Sequence, residues 1–427
     1  MLLLLRQQLL SSMKRTILFI ALGIVLLGTG AGIYFYFFSN KSVVVGQSGA
    51  QLPSSETASG DSTGQGGVAQ ELGVPVAGAG TEVAPRLIRI SDRPVVSGSQ
   101  ALYVPGTVAP PTGSTTPGTV AYSVDPDVRV SYIDRESGNV YAFTGHARTL
   151  TRISNKTLPA IQNATWTPDG SLAFVQYLEK NTAGEQISTY ARPSNGEGGY
   201  MLEKNISEVA VTGSSTLVTL APSSNGSVAT ISSTAGSGVR TLFSSLLGSL
   251  LLTTGGGVTV ATTKASSKSS GYAFLVSPKD GSFTRILGPF PGLTTLISPS
   301  GRFLLYNYLE KGKIVLAVFD MTTHTATRLP LATLPEKCVW TSDSLSLYCG
   351  VPTSLTGTLP DDWYQGVIAT SDRIWQVDMQ SRVATQVIDL QTVGAGSIDA
   401  VSLDIDRTSD VLIFTDRTTG SLWMYDL

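Results

Sequence analysis

The chain has 427 residues, of which 14% are charged, with a formal net charge of −2 and two cysteines. Charge this sparse and balanced, with no long basic block, excludes the clustered Lys/Arg footprint of a nucleic-acid binder. Two cysteines are too few for a disulfide scaffold or a four-cysteine zinc site, and 44 glycines beside abundant Ser and Thr favour strands and turns over helices.

Residues 1–15 carry Arg6, Lys14 and Arg15, and MKRTILF from Met13 has the form of a translation start. Residues 16–38, TILFIALGIVLLGTGAGIYFYFF, hold no charge over 23 positions, enough to cross about 30 Å of hydrocarbon as a helix. With only Lys41 following closely, the positive-inside rule puts 1–15 in the cytoplasm and everything after the span outside. A cleaved signal peptide would have an apolar run of about 7–15 residues ending in small side chains. This run is longer and ends in Tyr34, Phe35, Tyr36, Phe37 and Phe38, so a single-pass transmembrane anchor in the cell membrane is expected.

Residues 39–85 are Gly, Ser, Thr, Gln, Ala and Val with almost no aromatics. Such a stretch buries too little apolar surface to offset its ordering entropy, which predicts a flexible linker. A second low-complexity stretch, Val104 to Val120, is expected as a surface loop.

From residue 86 to 427 the chain repeats itself. NATWTPDGSLAFVQY (Asn163 to Tyr177), TTLISPSGRFLLYNY (Thr294 to Tyr308) and EKCVWTSDSLSLYCG (Glu336 to Gly350) each read as strand, polar turn, strand. Pro-Asp-Gly and Pro-Ser-Gly suit a type I turn ending in a left-handed glycine. A second hairpin unit recurs from Val128, Ile314, Arg373 and Asp410, read as alternating strands around a polar turn. The first turns fall near Asp169, Ser214, Gly255, Ser300 and Asp343, about 41–45 residues apart, the spacing of a four-stranded propeller blade. An insertion from Val351 to about Ser371 lengthens the next interval. The last unit stops one strand short, and RLIRIS at Arg86 to Ser91 is expected to supply that strand and close the ring, leaving no free edge. The fold class expected is therefore all-β, a propeller of seven four-stranded blades. Six or eight also fit the poorly marked stretch between Ile206 and Pro289.

Trp166-Thr167-Pro168-Asp169-Gly170 and its weaker copies at Ser298 to Gly301 and Thr341 to Ser344 resemble the WD-repeat-like units of TolB-type propellers. LIRISDRPV, VRVSYIDRESGNVYAF, RISNKTLP, KCVWTSDSLSLYCGVP and LPDDWYQG resemble membrane-anchored TolB-like proteins of unassigned role in small-genome bacteria. The resemblance implies a propeller with a binding or scaffolding role and carries over no catalytic residue. The N-terminal α/β domain of TolB has no counterpart here, which separates the chain from a Tol–Pal role.

Candidate sites are few. A turn at Asp343-Ser344 places Cys338 opposite Cys349 on one hairpin, within disulfide reach; outside the membrane an oxidised pair is favoured. The alternative is a pair of buried thiols. In the insertion, Asp361, Asp362, Trp363 and Tyr364 form the candidate binding surface, where an exposed aromatic pair beside two acids could stack on a sugar or anchor a protein. Alternatively the aromatics tuck against the blade and the acids bond to local amides. Neither His146 nor His324 sits in a zinc or triad pattern, Asp404, Asp406 and Asp410 lack the Gly and Glu of a calcium loop, and the glycines at Gly255 to Gly257 lack a phosphate-loop lysine. No metal, cofactor or catalytic group is expected. The function expected is a non-enzymatic protein-binding or scaffolding module of the cell envelope whose partner is an envelope protein or glycan, with an envelope glycan-binding or glycan-cleaving enzyme, its acidic residues in the propeller channel, as the alternative.

Overall fold

The structure, a computed structural model, describes residues 86–108, 123–181, 184–213 and 215–427. The expected span 16–38 and linker 39–85, and most of the low-complexity loop, lie outside the described residues. Among the described residues no helix is long and apolar enough to cross a membrane.

Seven four-stranded antiparallel sheets follow one another along the chain. Their first strands are Gln100–Val104, Ile161–Trp166, Glu208–Thr212, Leu250–Gly255, Thr294–Ile297, Cys338–Trp340 and Ala400–Ile405. These first strands pack against one another around a central axis, and each sheet runs outward from it, giving blades 1 to 7 in chain order. Blade 7 takes its outermost strand from the beginning of the domain: Leu87–Ser91 pairs with Leu422–Asp426, Leu87 opposite Tyr425. Ring closure by RLIRIS is thus observed, and the blade count is seven. Loops leading into first strands, and those joining second to third strands, open on one face, the upper face. First-to-second and third-to-fourth turns open on the lower face.

The core is seven wedges, one between each pair of neighbouring blades. Phe303, Leu305, Leu316 and Val318 of blade 5 meet Trp340, Leu347 and Val377 of blade 6; Val130 and Phe143 of blade 1 meet Ile413 and Met424 of blade 7. Middle strands therefore bury both faces: Phe303 to Asn307, in a hairpin read as apolar strands, is buried at every position, and so is Val411–Asp416, where alternation was expected. Such strands read as continuous apolar runs. Two outermost strands do the opposite. Thr149–Arg152 and Thr325–Arg328 are exposed throughout, polar edges that resist pairing with another chain.

The recurrent turn behaves as its residues require. In blade 2 the Thr167 hydroxyl donates to Asp169 at 2.6 Å, and the Ser171 amide donates to the same carboxylate at 3.1 Å. Gly170 follows at φ 65°, a conformation that costs glycine nothing. Blade 6 repeats the device with Thr341 and Asp343, and there Ser344 takes the left-handed position at φ 62°.

Candidate functional site

The innermost strands have no fifth strand to pair with, so their backbone amides face the channel side of the ring. Side chains of neighbouring blades satisfy several of them. The Ala101 amide of blade 1 donates to Asp404 of blade 7 at 2.8 Å, and the Ile297 amide of blade 5 donates to Thr253 of blade 4 at 3.1 Å. Glu208 of blade 3 accepts from the Leu252 amide of blade 4. Burial pushes the carboxyls of Asp404 and Glu208 up to about 7, against the lowering effect of those amides.

The densest polar cluster lies on the upper face at blades 5 to 7. A single 3-10 turn, Pro335–Lys337, precedes the first strand of blade 6 and sends Lys337 inward, 1% exposed. Its ammonium meets Asp372 at 2.7 Å and also meets Asp399; both acids are fully buried. Asp372 begins the third strand of blade 6 and Asp399 immediately precedes blade 7. The Thr370 hydroxyl sits between them, 2.9 Å from Asp372, 3.0 Å from Asp399 and 2.7 Å from Lys337 Nζ. The second oxygen of Asp399 accepts the Trp363 indole N–H at 2.9 Å and the Thr370 amide at 3.2 Å. Burial raises the Asp372 carboxyl above the usual range despite Lys337. At Asp399 burial is outweighed by Lys337, Trp363 and Thr370, and its carboxyl lies below that range.

The insertion, residues 353–371, joins the second and third strands of blade 6 and is pinned by this cluster. The helical turn Asp361–Tyr364 carries all four sequence-predicted residues. Asp361 accepts the Ser267 amide of blade 4 at 2.6 Å; burial raises its carboxyl, but the Ser267 and Ser266 bonds win and hold it low. Asp362 accepts the Thr358 amide at 2.6 Å. Trp363 is 5% exposed and packs with Ile314, Leu334 and Leu359, while the Arg417 guanidinium lies 4.5 Å from its ring centroid. The Tyr364 hydroxyl donates to Glu336, and burial together with that carboxylate raises the phenol. Glu336, its carboxylate turned into the protein, is raised by burial against the Tyr364 and Thr294 hydrogen bonds. Of the two readings of the insertion, the structure has the tucked one: a short helical turn directs the indole to a buried acceptor, and the two acids bond to amides. The insertion braces blades 4 to 7 across the upper face.

Cys338 and Cys349 form a disulfide with Cα atoms 4.1 Å apart, directly opposed in register. It lies one residue beyond Lys337. His146 and His324 stand apart from this cluster, His146 near Asp127 at 3.6 Å and His324 against Phe319. The sequence did not single out Lys337, Asp372, Asp399, Glu336 or Arg417. The one available signal was the Glu-Lys pair inside the otherwise apolar run LPEKCVW.

Seven four-stranded sheets closed by the first strand define a β-propeller. No family model and no curated protein matches the chain in sequence. Among solved structures it is similar to an oligogalacturonate lyase from Vibrio parahaemolyticus, at 10% identity and TM-score 0.53 over 81% of this chain and 94% of that one. It is similar also to an oligogalacturonate lyase in complex with manganese, at 8% identity and TM-score 0.50 over 77% and 98%. TolB from Acinetobacter baumannii aligns at 10% identity and TM-score 0.42 over 67% and 79%. At these identities the likeness is one of fold.

Proposed function

We propose that the chain is a membrane-anchored, extracytoplasmic propeller whose upper face binds a protein partner in the cell envelope. The observation that carries this reading is the internal commitment of the insertion. The acids and aromatics of residues 361–364 bond within the protein. What the braced loop turns outward is Leu355, 42% exposed, and Val367, 68% exposed. Leu246 and Leu247, on the loop before blade 4, add exposed apolar surface to the same face. A rigid surface with apolar anchors and little charge suits a protein partner. The buried disulfide supports an oxidising compartment, and the uncharged run 16–38 supports the anchor. The glycan-cleaving alternative rests on acids lining the central channel, not on Asp361 and Asp362, which are each held by a backbone amide.

The test uses the full chain in its native membrane. A photo-crosslinking side chain at Val367 should capture one discrete protein, whereas the same probe at Val383, on the lower face, should not. Alkaline washing should leave the chain in the membrane, and protease added outside intact cells should reach it. Equal capture from both faces, or turnover of an envelope polymer by the purified protein, would overturn the reading.

A further inference from the structure

We propose that Lys337 and Asp399 become joined by an intramolecular amide between Nζ and Cγ, formed by the protein on itself, tying blade 6 covalently to blade 7 beside the channel mouth. The proposal stands apart from the partner-binding reading and rests on the geometry of the buried cluster.

Four features make the site a place for condensation rather than only an ion pair. The amine and the acid are already in contact, at 1% and 0% side-chain exposure, so no encounter has to be arranged. The far oxygen of Asp399 faces two fixed N–H donors, the Trp363 indole at 2.9 Å and the Thr370 amide at 3.2 Å. Two such donors stabilise the negative charge that builds on a carboxyl oxygen when an amine adds to its carbon. A proton carrier is in place: Asp372 lies 2.7 Å from Nζ, and the Thr370 hydroxyl links its carboxyl to that of Asp399 at 2.9 and 3.0 Å. Burial favours the protonated form of Asp372, which suits a group that takes a proton up and hands it on. Finally, the surroundings are dry. The Trp363 ring lies 5.4 Å from Nζ. Beside it is a cavity of about 10 Å³ walled by Ile314, Leu334 and Leu359, room for about one water.

The step balances without a co-reactant. The Asp372 proton passes through the Thr370 hydroxyl to the Asp399 oxygen nearest Lys337, the bared Asp372 carboxylate takes a proton from the Lys337 ammonium, and the freed lone pair of Nζ adds to Cγ of the now neutral Asp399 acid, forming the C–N bond. The C–O bond to the oxygen nearest Lys337 then breaks, and its electron pair leaves with that oxygen. The oxygen departs as water with two protons, the number the lysine loses, one of them handed on by Asp372. An ammonium and a carboxylate become a neutral amide plus one water. Removing two charges from a dry site relieves the desolvation penalty that a buried ion pair otherwise bears.

An ion pair and an amide differ by the mass of one water. The expected result is that the folded, unmodified chain, digested after reduction, yields a branched peptide joining the Lys337 and Asp399 segments, one water lighter than their sum. Lys337→Arg should abolish it. Asp372→Asn should abolish it while leaving the Cys338–Cys349 disulfide formed, which reports folding. Unbranched peptides of full mass from the wild-type protein would overturn the proposal, whatever the variants do. A branch at Asp372 would overturn the choice of Asp399 as the electrophile, and a bond that survives Asp372→Asn would overturn the proton carrier.

Discussion

Asp404→Asn offers a direct test of how the inner edge of the ring is sealed. The carboxyl of Asp404 accepts the Ala101 amide across the blade 7 to blade 1 junction, and burial moves it from 3.8 to about 7. The sign follows from proton uptake. Below about pH 4 the acid is protonated in both folded and unfolded chains, and the folded protein has its full stability. Between there and about 7 the unfolded chain has released the proton and the folded one still holds it, so stability falls as pH rises. Above about 7 the loss is complete. Three units at about 1.4 kcal/mol each bound the loss at about 4 kcal/mol. Asparagine keeps a carbonyl for the Ala101 amide and carries no charge. The variant should therefore be more stable than the parent by about 2–4 kcal/mol at pH 8 and within about 1 kcal/mol of it at pH 4. Urea unfolding of both proteins across that range, followed by tryptophan fluorescence, measures the difference. A gap that does not change with pH, or an Asn variant weaker at pH 8, would refute the reasoning.

Glu208→Gln should behave alike, because burial moves that carboxyl from 4.5 to about 7; its gain at pH 8 is bounded at about 3 kcal/mol by the same urea titration. Replacing Cys338 and Cys349 together by Ala should lower stability by up to about 3 kcal/mol, the loop-closure term for a bridge spanning so few residues, read as an earlier urea midpoint. Trp363→Ala removes a buried indole and its bond to Asp399 and should cost about 3–5 kcal/mol. Limited proteolysis should then cut within 353–371 well before the blades.

The architecture was legible because each blade carries its own local signals. The Thr167/Asp169/Gly170 turn and its copy at Thr341/Asp343/Ser344 mark the first hairpins at a regular interval, and the pairing of Cys338 with Cys349 follows from the length of one such hairpin. The strand at Arg86 to Ser91 was recognisable because the last unit lacked a partner. The Lys337 cluster was hidden for the opposite reason. Its members come from four separate stretches, at Lys337, Thr370 to Asp372, Asp399 and Arg417, and only the packing of blade 6 against blade 7 brings them together. Trp363 was ambiguous in sequence because exposure depends on which way one helical turn faces. The middle strands misled by period: a sheet packed on both faces has no polar side to alternate with.

Closure itself can be perturbed, and the outcome separates a propeller from a mere stack of sheets. Without residues 86–91, the strand Leu422–Asp426 has a bare edge. Ile88 and Ile90 leave the wedge between blades 7 and 1, and Leu87 leaves the one between blades 6 and 7. The Arg86 guanidinium, 4.8 Å from the Tyr425 ring centroid, is lost as well. Three half-buried aliphatic side chains at about 1 kcal/mol each, with the strand's hydrogen bonds, put the loss at about 4–6 kcal/mol. Within a ring the loss is not local, because blade 7 is the only bridge between blade 6 and blade 1. Opening the wedge between blades 7 and 1 turns those two blades into ends. A chain lacking 86–91 should unfold over a broadened urea transition and self-associate through the open edge. A synthetic peptide of residues 86–92 added in excess should restore both sharpness and monomer, by pairing where the native strand does. If the shortened chain stayed monomeric with an unchanged midpoint, the seventh blade would not be what holds the ring shut.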